Sequence, residues 1–306
     1  MTAPIQLFDH ALLDARRRRA LVRSQAGADF MFEAAVDDLA ERLGAVKRHF
    51  TTCVDLGSPL PIFADRLSPT SQIDRIIRID RLPETITGKR AGLVGDMEFL
   101  PFRDASLDLV VSALALHWIG DIPGLLAQIR RALKSDGLFL ANLLGGQTLH
   151  ELRESFTIAE VELTGGASPR IAPFAELRQL GALLQRAGFA LPVVDQDRLT
   201  VRYDNALELM RDLRAMGATN ALVERARKPL RKEVLMRAAT IYAERFADAD
   251  GRVRASFDIV SLSGWAPHQS QQQPLRPGSA RTRLADALGV TEQSAGEKPG
   301  HPILEK

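Results

Sequence analysis

The chain has 306 residues, 45% hydrophobic and 25% charged, with 40 Lys+Arg against 38 Asp+Glu. That length holds one large domain with additions or two small ones, and the composition is ordinary for a globular protein. A formal charge of +2 leaves no broad basic footprint for nucleic acid. The single cysteine, Cys53, excludes an intramolecular disulfide and a Cys-based zinc cage. Beside an apolar run it reads as a small buried residue in a reducing compartment. No apolar run approaches the ~20 residues of a membrane helix. Asp9 and Asp14 flank Arg16-Arg17-Arg18-Arg19 with no apolar signal core, against a targeting segment. The expectation is a cytoplasmic protein with no nucleic-acid partner and no integral membrane segment.

Residues 8–45 carry helical periodicity: Phe30, Phe32, Ala35, Val36, Leu39 and Leu43 recur at helical spacing between charged positions. The arginine run reads as a solvated helix face, with an anion or partner site as the alternative. From residue 53 the rhythm changes to short apolar runs alternating with helical stretches. Strands are expected at 53–56, Arg75–Asp80, Ala91–Val94, Leu107–Ala113 and Leu138–Leu144. An amphipathic helix is expected over Ile122–Leu133, closed at Lys134-Ser135-Asp136-Gly137 by a left-handed Gly137. A helix over Leu177–Ala187 capped by Gly188 leads into extended Phe189–Tyr203. Residues 205–247 are mostly helical, with Pro229 as a helix start, and Ser256–Ser263 forms a last strand ending at Gly264-Trp265. This pattern predicts an α/β fold with a mostly parallel, doubly wound sheet. Its parts are an N-terminal helical segment (1–45), a domain (46–265) with a helical insertion or cap at about 205–250, and a polar, partly disordered tail (266–306).

Functional groups of such sheets collect beyond the carboxyl ends of the strands. Asp55 ends the first strand, Asp80 ends the second and Asp96 follows the third. A carboxylate at the second position can accept both hydroxyls of a ribose. In Gly95-Asp96-Met97-Glu98, a carboxylate beside an apolar side chain suits an adenine. Each aspartate alone also reads as a cap or turn residue; their serial placement favours a site. The first loop, Asp55-Leu56-Gly57-Ser58-Pro59-Leu60-Pro61, starts as a nucleotide cradle, then carries prolines, which donate no N–H. Either proline can instead begin the next helix. After the fourth strand, His117-Trp118 is either a substrate contact with His117 as general base or an aromatic plug. The six histidines are dispersed, and no metal site is read from spacing.

In order and spacing, Asp55-Leu56-Gly57, Asp80, Gly95-Asp96-Met97-Glu98-Phe99-Leu100-Pro101-Phe102, Ser106–Ser112 and Leu133–Gly137 resemble class I S-adenosylmethionine (SAM) methyltransferases, which have a Rossmann-like fold. Leu116–Ile119, Leu143–Arg153, Gly166–Phe174, Leu209–Gly217 and Gly264-Trp265 further resemble the mitochondrial complex I assembly-factor group, described as arginine hydroxylases. The malonyl-carrier-protein methyltransferases of biotin synthesis are also similar. The resemblance covers roughly residues 8–265 and implies SAM as cofactor. It puts Asp55 and Gly57 at the amino-acid end, Asp80 at the ribose and Asp96 and Met97 at the adenine, with Leu114 and His117 beside the sulfonium. The chain departs from the family pattern at Ser58, Pro59 and Pro61, against the methionine end of the cofactor. The leading expectation is a methyltransferase-like protein with a degenerate glycine loop and a protein or carrier-bound acceptor. A complex I maturation factor acting on a complex I subunit, as hydroxylase or client-binding chaperone, is the alternative. A non-catalytic module with a retired cofactor site is the third.

Overall fold

The apolar runs of the chain form seven strands in one sheet, in the order β3-β2-β1-β4-β5-β7-β6. The computed structural model describes residues 6–67, 72–86, 91–272 and 284–291. The strands are β1 (Phe50–Leu56), β2 (Ile73–Asp80), β3 (Ala91–Val94), β4 (Leu107–Ala113), β5 (Leu133–Leu144), β6 (Ala190–Tyr203) and β7 (Val253–Trp265). The first five pair in parallel, while β7 runs antiparallel to both β5 and β6. This is the mostly parallel Rossmann-like sheet that the strand–helix alternation predicts.

Side chains alternate across the sheet. Val110 of β4 and Phe139, Ala141 and Leu143 of β5 enter one core. Leu109, Val111 and Ala113, with Leu138 and Leu140, enter the opposite one. Period-two alternation with both faces apolar requires helices on both sides. On the first face lie α4 (Ile122–Ala132) and α6 (Leu177–Arg186); on the second lie α2 (Phe30–Gly44) and α3 (Ile62–Leu67). A third core joins α5 (His150–Thr164), α7 (Ala206–Ala215) and α8 (Lys232–Phe246) to β7. The N-terminal helix α1 (His10–Arg23) lies against α7. The chain divides into two units, Met1–His268 and Gln269–Lys306; the second contains the short α9 (Leu284–Leu288). Most of the tail expected to be disordered lies outside the described residues.

Several boundaries differ from expectation. Helix α4 stops at Ala132, and β5 begins at once at Leu133. The left-handed residue of this connection is Asp136 (φ 63°), not Gly137. Gly137 serves close approach instead: a Cβ there would lie 2.9 Å from the Lys134 carbonyl oxygen and 3.2 Å from that of Asp108. Pro229 precedes α8 by three residues rather than starting it. Strands β1, β2 and β7 each start upstream of the expected runs, because ladder pairing continues through residues such as Thr52, Ile73 and Arg254.

Candidate functional site

Strand order reverses between β1 and β4, so the crevice beyond their carboxyl ends is the expected ligand position. At the end of β1, Asp55 is fully buried. Its Oδ2 lies 3.2 Å from Arg78 Nη1, while its Oδ1 has no hydrogen-bond partner. Burial pushes its pKa up to about 6, against the opposing pull of Arg78. Gly57 follows with φ +69° and donates its N–H to the Ile79 carbonyl at 2.8 Å. The departures from the glycine pattern resolve separately. Ser58 is buried and turned inward, its Oγ accepting from Ala113 N at 3.0 Å. Its carbonyl also accepts from Arg78. Pro61 immediately precedes α3, and its carbonyl accepts from Asp65 N at 3.2 Å, a natural place for proline. Only Pro59 of these three borders the crevice.

Asp80, at the end of β2, is fully buried and already held by a guanidinium. Arg17 of α1 reaches both of its oxygens, at 3.1 and 2.6 Å. The next residue, Arg81, bridges Asp96 Oδ2 (2.6 Å) and Asp14 of α1 (3.2 Å). Arg18 pairs with Glu84 at 2.5 Å. The arginine run is therefore not a uniformly solvated face: Arg17 docks α1 on the carboxylate at the end of β2, and Arg18 pairs with Glu84 in the turn that follows. Met97 is buried and packs on Gly57: a Cβ on that glycine would fall 1.8 Å from the Met97 sulfur.

Beyond β4, Leu114 is buried with φ 46°, a left-handed conformation uncommon for leucine. Buried Asn142 fixes it: the Leu114 N–H lies 3.0 Å from both the carbonyl and Oδ1 of Asn142, whose Nδ2 donates to the Ala35 carbonyl at 2.7 Å. His117 sits in a short 3₁₀ turn, half-buried, with Trp118 and Phe174 at ring-centroid distances of 5.3 and 6.0 Å. Its Nδ1 is 3.4 Å from the Leu144 N–H. Desolvation lowers its pKa to about 3, so the ring is neutral and a weak proton acceptor. The general-base role read from the sequence does not suit this environment; the aromatic packing does. Among the described residues no cluster of potential metal ligands forms.

The structure thus brings Gly57, Met97, Leu114 and His117 around one cavity, with Asp55, Asp80 and Asp96 at the surrounding strand ends. That cavity has about 50 Å³, closed by Arg17, Met97 and the 216–218 segment. A larger cavity of about 730 Å³ lies over Gly146, Arg153, Arg170 and Phe174, and Phe174 packs on the His117 ring. Sequence reading missed Arg17, Arg78, Arg81 and Asn142. Arg78 carried a signal, being a charge inside the apolar run Ile76-Ile77-Arg78-Ile79 two positions before Asp80, on the same strand face.

A methyltransferase-domain family profile matches residues 54–141, spanning β1 to β5. The arginine hydroxylase NDUFAF5, mitochondrial, of Danio rerio is 38% identical over 264 residues, covering 84% of this chain and 82% of its own length. The chain belongs to the class I SAM-dependent methyltransferase family. A malonyl-[acyl-carrier protein] O-methyltransferase of Halorhodospira halophila is 32% identical over 280 residues, covering 86% of this chain and 93% of its own. The YcgJ protein of Bacillus subtilis shares the fold at TM-score 0.53 and 16% identity, over 75% of this chain and 98% of that one. The family uses SAM, and the chain is a SAM-dependent methyltransferase-like protein. Its residues fit that cofactor chemically: buried Asp55 Oδ1 is an unpartnered acceptor near Gly57, and Asp80 already accepts a bidentate donor. The expected cytoplasmic location is corrected, since the NDUFAF5 relatives are mitochondrial and point there. Composition and cysteine usage do not distinguish two reducing compartments. No helix among the described residues is long and apolar enough to cross a membrane.

Proposed function

We propose that the chain binds SAM across the β1–β4 crevice and transfers its methyl group to a protein or carrier-bound acceptor. Asp80 would hold the ribose, Asp96 and Met97 the adenine, and Asp55 with Gly57 the amino-acid end. The observation that carries this reading is Asp80: a fully buried carboxylate at the end of β2 with both oxygens presented to one bidentate donor. The cofactor supplies an activated methyl group, and the protein's part is alignment and exclusion of water. Leu114, locked by Asn142, and the packed rings of His117 and Phe174 would shape the acceptor's approach from the 730 Å³ cavity. A neutral His117 with pKa near 3 removes few protons, so the site suits an acceptor atom that is already a free nucleophile, such as a carboxylate oxygen.

Calorimetric titration with SAM and with its demethylated product tests the site. Binding is expected, weakened about tenfold or more in Asp80→Ala and in Asp96→Ala, as loss of a charged hydrogen bond predicts. No heat with either ligand, at any Arg17 or Met97 variant, would leave the retired-site reading standing. A second reading, complex I maturation, is favoured by the likeness to NDUFAF5 over more than four-fifths of both chains. Deletion of the gene is then expected to lower complex I abundance and leave biotin synthesis intact; normal complex I in that strain would sink it.

A further inference from the structure

We propose that the face of α1 turned away from the crevice, together with Arg214 of α7, binds a small polyanion carrying phosphoryl groups. Arg16, Arg19, Ala20 and Arg23 recur at i, i+3, i+4 and i+7, which places them along one side of the helix. They line a cavity of about 480 Å³ with Arg214 and Thr219. Four guanidiniums therefore face a single recess whose lining contains no carboxylate. Neighbouring arginines behave differently: Arg17 is 2.6 Å from Asp80, Arg18 is 2.5 Å from Glu84 and Arg225 is 3.0 Å from Asp9. By contrast, among the described residues Arg16 and Arg19 make hydrogen bonds only to main-chain carbonyls, of Asn220 and Ala15. Among the described residues, Arg23 and Arg214 have no ion-pair partner.

The recess is built by packing. Gly217, with φ +74°, lets the loop after α7 approach α1, since a Cβ there would meet Arg17 Cα at 3.2 Å and Ala20 Cβ at 3.3 Å. Ala20 leaves room in the lining where a longer side chain would intrude. The helix C-terminus accounts for Arg23, whose charge complements the macrodipole. The same holds for Arg214 in the last turn of α7, but not for Arg16 and Arg19, which lie before the last turn of α1. Gathering four cations is unfavourable: burial, Arg225 and Arg19 lower the basicity of Arg16, and Asp9 offsets this only in part. An anion relieves that repulsion.

Size and geometry select the ligand class. The volume falls within the ~300–1,000 Å³ of small-molecule sites, and the recess is concave rather than a flat protein interface. Guanidiniums approach from both α1 and α7, and a tetrahedral phosphoryl group offers oxygens in several directions for such forks. Several guanidiniums call for more than one charge, hence an oligophosphate or a phosphate ester beside a second acid.

The full chain should be titrated calorimetrically with tripolyphosphate, pyrophosphate and inorganic phosphate at fixed ionic strength, with an oligoglutamate peptide alongside. Saturable one-to-one binding is expected, strongest for tripolyphosphate and at least tenfold weaker in the Arg19→Ala/Arg214→Ala double variant. Both substituted side chains are exposed, so the unfolding midpoint should not move. Equal binding by variant and parent, or no heat beyond that of chloride, would overturn the site. Tighter binding of the peptide than of tripolyphosphate would overturn its phosphoryl character. SAM binding is read in a separate titration, so failure of the cofactor reading is distinct from failure of this one.

Discussion

Asp55 and His117 show how a single residue's surroundings reset its chemistry. Asp55 is enclosed at the end of β1, and its pKa of about 6 lies above the ~3.9 of an exposed aspartate. The folded protein therefore binds this proton more tightly than the unfolded chain. Its favourable contribution is present below pH ~4 and is lost as pH rises through ~6, a change of about 3 kcal/mol. Asp55→Asn cannot titrate, so the stability of the parent relative to that variant is expected to fall between about pH 4 and 6 and level off above. Denaturant unfolding across that range measures it; parallel curves would mean that Arg78 fully compensates the charge. His117 shifts the opposite way, down to about 3, because its ring is held among Trp118, Phe174 and Leu144. The sequence offered two roles for this histidine, and nothing in a residue's identity reveals its solvation. The same limit hid Ser58: a departure from the family pattern placed against the methionine end of the cofactor turns to β4 instead.

Helix α1 is the element whose meaning changed most. Periodicity predicted a helix and assigned its arginines to water, since spacing defines a face without saying what the face meets. The structure seats that helix over the crevice through Arg17–Asp80 and through Asp14–Arg81–Asp96. The bidentate Arg17 pair occupies the oxygens that the ribose hydroxyls would need. If SAM binds as proposed it would displace this pair, and Arg17→Ala is then expected to tighten SAM binding several-fold while lowering the unfolding midpoint of the free protein. The cost arises because a buried carboxylate loses its counter-ion, leaving the Leu82 N–H at 2.8 Å. Unchanged or weaker affinity in calorimetry would show that Arg17 does not compete. Asp80 and Asp96 were visible in the sequence because strand ends are marked by punctuation. Their partners were not, because Arg17 lies 63 residues from Asp80 along the chain.

At the scale of the whole molecule, alternating apolar runs and amphipathic helices specify a parallel sheet covered on both faces, and the order β3-β2-β1-β4-β5-β7-β6 realises it. Connection rules then place a ligand crevice at the β1–β4 reversal. The sequence also carried the family, since Asp55-Leu56-Gly57, Asp80 and Asp96-Met97 are local patterns set by short-range backbone needs. Location escaped it: the NDUFAF5 relatives are mitochondrial, and no core residue encodes an address. What the sequence determined by itself is the secondary structure, the sheet class and the carboxylates at the strand ends, all governed by periodicity and local sterics. Tertiary structure alone decided which guanidinium meets each carboxylate, that Met97 fills the space beside Gly57, and that four arginines of α1 and α7 share one recess. Those outcomes depend on contacts between segments far apart in the chain, where burial and charge are fixed only once the helices have packed.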